Sequence, residues 1–160
     1  MRILKNCSLI IIIIACLMLT ACGKGNKGQN IEGTLEEIMT KVYASVPEDD
    51  RPMALTNTEV TEENIEGFLG TSDIEYDSIL ASESMIGSIA HSVVLIRTKE
   101  NADIDAIKTK IKENINPRKW ICVGVEPEDV IIENKGNLII VIVIEDENIR
   151  NSISKEFKSL

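Results

Sequence analysis

The sequence predicts an α+β fold: a mainly antiparallel four-stranded sheet with helices packed on it, preceded by a two-helix N-terminal segment. Three observations lead there. Strand-like and helix-like periodicities alternate along the chain. The segments HSVVLIRTKENADIDAIKTKI and NLIIVIVIEDENIRNSISKEF align as parts of two strand-strand-helix units of similar length. The run Leu138 to Ile144 is apolar at every position, so it needs cover on both sides.

A chain of 160 residues with 27% charged, 44% hydrophobic and 3% aromatic side chains fits one globular domain plus a short extra segment. Its 17 Lys and Arg stand against 26 Asp and Glu, a formal charge of -9. Such a surface repels a phosphate backbone, and nucleic-acid binding is not expected.

The first element is an address. Arg2 and Lys5 precede an apolar run of 11 residues, Leu9 to Leu19, which ends in Leu19-Thr20-Ala21-Cys22-Gly23. A basic start, a short apolar stretch and small residues mark a secretory signal peptide over residues 1–21. The run is too short for a permanent span, which needs about 20 residues. The Leu-Thr-Ala-Cys stretch resembles the lipobox of bacterial lipoproteins. That resemblance implies diacylglycerol on the Cys22 thiol, cleavage before Cys22 and, in some cases, acylation of the new amino group. Two or more acyl chains hold a protein on a bilayer where a single one does not. Cleavage removes Arg2 and Lys5 and moves the formal charge from -9 to -11. It leaves Cys122 as the one remaining thiol, so no internal disulfide is expected and the domain over residues 31–160 rests on its apolar core.

Residues 22–30 hold the anchor cysteine and a glycine-rich stretch, GKGNKGQN, expected to be a flexible tether of about 15 Å root-mean-square length. Thr34 and Glu37 then form a capping-box pattern, and Leu35, Ile38, Met39, Val42 and Val46 share a helical face that stops at Pro47. Residues 48–83 carry eleven acids against one base, Arg51; they would suit a cation site or the dock of a basic partner, but read first as a solvated face because no loop of the DxDxDG type orders the carboxylates around a cation. Within them Thr61 is the expected N-cap of a short helix burying Ile65, Phe68 and Leu69, with Gly70 ending it.

From Asp73 the alternation of Ile74 and Tyr76 with Glu75 and Asp77 predicts a strand, and SVVLIRT over 92–98 a second one. Ile104, Ile107, Ile111 and Ile115 form the next helical stripe, with Lys108, Lys110 and Lys112 turned outward and Asn116-Pro117 as the stop. Val130 to Glu133 faces Leu138 to Ile144 across Asn134-Lys135-Gly136-Asn137, a turn able to supply positive φ. Ile149, Ile153, Phe157 and Leu160 mark a last helix. The two unit helices are expected on one face of the sheet and the first two helices, or a partner, on the other, with the first helix packing against Leu138 to Ile144 there or extending the helical layer enough to shield the strand's neighbours.

Chemistry is sparse. His91 is the single histidine, which excludes a two-histidine metal site, and its neighbour Ser92 points to the opposite side of the strand. Cys122 sits in Trp120-Ile121-Cys122-Val123, an apolar setting that predicts a buried, inert thiol. Met85-Ile86-Gly87-Ser88 reads as a turn between strands rather than a nucleophile elbow, and GxSxG, HExxH, GxGxxG and Walker A patterns are absent. Neither catalytic residues nor a cofactor or metal is expected. The candidate partner-binding cluster is Arg118, Lys119 and Trp120: residues 84–125 carry seven bases against four acids, and the single tryptophan sits beside two of those bases. Such a patch suits an acidic wall polymer, lipid headgroups or a protein.

ILASESMI, AHSVVLIRTK and NPRKWICVGVE together resemble a family of small lipoproteins from low-GC Gram-positive bacteria known only as a domain of unknown function, over roughly residues 34–146. The resemblance implies an extracytoplasmic single-domain lipoprotein and assigns no activity to any residue. The expectation is a protein held to the cell membrane by lipid on Cys22. It would act outside the cytoplasm as a non-enzymatic binding or accessory module of the envelope, with a small envelope hydrolase using carboxylates or a Cys122–His91 pair as the alternative.

Overall fold

The computed structural model describes residues 30–160; the expected leader, Cys22 and all of the tether except Asn30 lie outside them. The first described helix, α1 (Leu35–Val42), begins as the sequence predicts. The Thr34 hydroxyl accepts the Glu37 N–H at 3.2 Å, and the Glu37 carboxylate accepts the Thr34 N–H at 3.0 Å. A tighter turn, Tyr43–Ser45, carries the chain on to Val46.

Five strands build one sheet: β1 (Leu55–Glu59), β2 (Ser78–Ser84), β3 (His91–Arg97), β4 (Ile131–Lys135) and β5 (Leu138–Ile144). Their order is β1-β2-β3-β5-β4, with every neighbouring pair antiparallel. The helices α2 (Ile65–Leu69), α3 (Ile104–Asn114) and α4 (Glu147–Ser159) complete the fold.

Several expectations are corrected. The sheet has five strands rather than four, because Leu55–Glu59 pairs with β2 as an edge strand. That strand falls between α1 and α2, so no uninterrupted two-helix segment precedes the sheet. Ile74 and Tyr76 lie in irregular backbone that packs on the core, and the strand expected there starts at Ser78. Thr61 does not cap α2 with its hydroxyl; Asn64 Oδ1 accepts the Thr61 N–H at 2.8 Å instead.

The unit helices also take opposite faces. Core residues Leu138, Ile140, Ile142 and Ile144 of β5 cluster with Ile38, Met39 and Val42 of α1 and Ile153 and Phe157 of α4. Ile139, Val141 and Val143 cluster with Ile65 and Leu69 of α2 and Ile107 and Ile111 of α3. A two-fold axis exchanging adjacent antiparallel strands runs perpendicular to the sheet and would leave α3 and α4 on one face. The repeat in the sequence is therefore one of element order and not of symmetry.

All seven residues of β5 are buried, as a strand apolar on both sides requires. The first helix does cover it, sharing that face with α4. Lys135 pairs with Leu138 across a two-residue loop in which Gly136 has φ 55°, the positive value a tight hairpin demands.

Gly70 is the second glycine its backbone requires. It ends α2 at φ 75°, and a Cβ there would stand 2.0 Å from the Asn114 carbonyl oxygen at the end of α3. Both the left-handed backbone and the clash with main chain oppose a side chain. Gly70→Ala is expected to cost about 2 to 4 kcal/mol, read as a lowered urea midpoint at unchanged slope.

The two ends of the sheet differ in what meets there. Arg97, the last residue of β3, donates to the Ile31 carbonyl at 2.8 Å and the Gly33 carbonyl at 3.0 Å, fixing the place where the N-terminal chain joins the domain. The other end, about 20 Å away along β3, gathers the β2–β3 turn and the loops around residues 48–54 and 115–130.

Candidate functional site

At the end remote from Arg97, three segments converge through main-chain hydrogen bonds. The Met85 N–H donates to the Ala54 carbonyl at 3.0 Å, and the Ile121 N–H to the Gly87 carbonyl at 2.7 Å. The Ser84 hydroxyl donates to the Met53 carbonyl at 2.9 Å. Each segment lifts one large apolar side chain into solvent: Met53 is 71% exposed, Met85 72% and Ile121 69%. They are the large hydrophobics so exposed among the described residues, and the segments that carry them are joined by these hydrogen bonds. Clustered apolar exposure of this kind marks an interaction surface, whereas scattered single residues do not.

Beside them runs a groove of about 550 Å³ lined by Phe68, Glu83, Met85, Lys119 and Trp120 among others. The loop carrying Trp120 is closed on itself: the Val125 N–H donates to the Pro117 carbonyl at 2.8 Å, and Asn116 Oδ1 accepts the Arg118 N–H at 3.0 Å. Cys122 takes φ 63° in this loop, an uncommon conformation for a residue with a side chain. The loop packs inward through Trp120, Val123 and Val125, which leaves Ile121 pointing out.

The three residues expected to bind a partner are thus brought to one place, but not as a free cationic patch. Lys119 is built into the groove wall. Its ammonium pairs with the Glu83 carboxylate, donates to the Gly67 carbonyl at 3.0 Å, and lies 5.0 Å from the Phe68 ring centre and 5.2 Å from that of Trp120. Arg118 pairs with Glu126. Trp120 is half-buried against the second core while still lining the groove. Of the lysines on the preceding helix, Lys110 is held by Asp73 at 2.7 Å and Lys108 donates to Asn134 Oδ1 at 3.0 Å.

Acid dominates the surroundings. Loops 48–54, 85–90, 115–130 and 145–146 carry eight acids against three bases. Those bases are Arg118 and Lys119, paired as above, and Arg51, which donates to the Val46 and Tyr43 carbonyls at 3.1 and 2.9 Å.

The expected burial of Cys122 is corrected: its side chain is exposed. Its loop packs on the second core, whereas His91 meets Tyr43 on the first, so the two are not brought together. His91 Nε2 lies 2.7 Å from the Tyr43 hydroxyl, with the rings stacked at 6.0 Å. Burial lowers the His91 pKa to about 4 and pushes the Tyr43 phenol far above its usual range. At neutral pH both groups are uncharged, and the pair acts as a satisfied polar contact inside the core.

Met53, Met85 and Ile121 escape sequence reasoning because they belong to three separate loops that only the fold brings side by side. The available signal was Met85 in a predicted turn, a place that usually takes polar residues. Compared with family models, with curated proteins and with solved structures, the chain matches none.

Proposed function

We propose that this protein is a lipid-anchored, extracytoplasmic binding module of the cell envelope, acting without catalysis of its own. One observation carries the reading: the chain enters the domain beside Arg97, while the exposed apolar side chains crown the opposite end of the sheet. A tether on Cys22 would then hold one end near the bilayer and present the other outward. The leader pattern before Cys22 and the resemblance to small Gram-positive lipoproteins support the anchor. Near the apolar end, the paired states of Lys119 and Arg118 favour contacts through Trp120 and the aliphatic crown over recognition of an acidic wall polymer.

The anchor is tested by the mass of the mature N-terminus and by fractionation. A chain starting at Cys22 with the added mass of its acyl groups is the expected result, with Cys22→Ala released from the membrane fraction. An unmodified Cys22, a different start, or a Cys22→Ala variant still bound to membrane would overturn it.

A further inference from the structure

We infer that the crown of Met53, Met85 and Ile121, with the adjoining Phe68–Trp120 groove, docks a cationic amphipathic segment of another protein. The proposal rests on the binding-module reading and names the chemistry of its occupant.

The apolar part follows from geometry. Three side chains from three loops joined by main-chain hydrogen bonds are each about seven-tenths exposed, and one of them, Met85, lines a groove with Phe68 and Trp120 beside Glu63, Glu83 and Lys119. A segment that inserts aliphatic or aromatic anchors there would bury Met85 and Ile121 and cover the open edge of Trp120. Methionine suits such a surface because its unbranched side chain adapts to the shape laid against it.

Charge selects among possible occupants. The loops around the crown carry eight acids against three bases; Glu126 and Asp129 are paired with Arg118 and Arg150, and the other six acids face only Arg51 and Lys119, which are held by backbone carbonyls and by Glu83. An anionic lipid surface is repelled by that rim. A second copy is repelled as well, since it would bring the same acidic loops. A segment bearing Lys or Arg beside its apolar anchors meets complementary charge instead, which favours encounter and register. The place of the crown agrees, at the far end of the sheet from the point where the N-terminal chain joins.

Trp120 provides the reporter, because it is the single tryptophan of the chain and lines the groove. The chain from Asn30 onward contains both cores and omits the expected leader and Cys22. It would be titrated with a synthetic amphipathic helix of leucine and lysine, and separately with its leucine and glutamate counterpart. The expected result is a saturable blue shift of Trp120 emission with the lysine peptide and none with the glutamate peptide. The double variant Met85→Ser with Ile121→Ser should weaken lysine-peptide binding at least tenfold while melting as the parent does. It leaves every charge in place, so unchanged binding in this variant would mean attraction by net charge alone and would overturn the proposal. Equal binding of both peptides, or no saturable shift, would overturn it too. A shift produced equally by phosphatidylcholine vesicles would assign the crown to lipid, and a shift that grows with protein concentration alone would assign it to a second copy. Any of these results leaves the N-terminal mass and fractionation of the Cys22 anchor unaffected, so the two readings fail separately.

Discussion

A chain beginning at Pro47 is expected to lose its cooperative melting transition or to reappear as oligomers. The deleted stretch contributes Leu35, Ile38, Met39, Val42, Tyr43 and Val46 to the first core, all at most 7% exposed. Burying each such side chain is worth about 1.5 to 3 kcal/mol, so their joint loss is comparable with the whole stability of a domain, about 5 to 15 kcal/mol. The loss would also uncover Leu138, Ile140 and Ile142, a face apolar enough to find another surface. Sedimentation and thermal melting of the truncated chain decide the matter. A monomer with the parent's melting temperature would show that α1 contributes nothing to the fold.

Acidification should weaken the fold through His91 before the carboxylates begin to titrate. Its pKa is about 4 in the folded chain, against an ordinary value of 6.5, because burial penalises the imidazolium. Above pH 6.5 the ring is neutral in both states and has no effect on the balance. As pH falls below 6.5 the unfolded chain takes up a proton that the folded chain refuses, so stability declines. The decline totals about 3 kcal/mol by pH 4 and then levels off. Urea unfolding at pH 7 and pH 5 should differ by about 2 kcal/mol from this group alone. In His91→Gln the amide oxygen can still accept from the Tyr43 hydroxyl, and no ring remains to protonate. That variant should lack the loss between pH 7 and pH 5, and equal losses in the two proteins would remove His91 as the cause.

The sequence is most legible where one physical demand acts alone. The capping box of Thr34 and Glu37, the stop at Gly70 and the all-apolar β5 each follow from a local rule, and each stands where it was predicted. Strand β2 defeats the alternation test because it is buried on both faces with small polar residues among its side chains. Ser82 is 1% exposed and Ser84 7%, yet in sequence they look like solvent-facing positions. Glu83 hides in the same way, since its charge is matched by Lys119 from a loop thirty-six positions on. Edge strand β1 is read as part of an acidic solvated stretch because Thr56, Asn57 and Glu59 do face solvent, and only backbone pairing to β2 makes it a strand. The candidate site is harder still. Arg118, Lys119 and Trp120 advertise themselves by type, but whether a lysine is free or spent depends on a carboxylate brought up by another strand. The crown exists only because three loops meet, and no spacing within the sequence encodes that meeting.

The position of β5 sets the order in which the molecule can come into being. This strand joins β3 to β4 and supplies the floor of both cores, yet it occupies residues 138–144, close to the end of the chain. While residues emerge from the N-terminus onward, β1, β2 and β3 can form only a three-stranded meander with β3 open along one edge, and α1 lacks most of the surface on which it will lie. Closure waits until the last quarter has arrived, when one strand pairs on both sides and roofs two layers at once. Long-range pairing of this kind makes collapse late and concerted. A protein destined to be threaded through a translocation pore would benefit from that delay, for it stays pliable for as long as the C-terminal quarter is still inside. It would then lock in a single step on the far side.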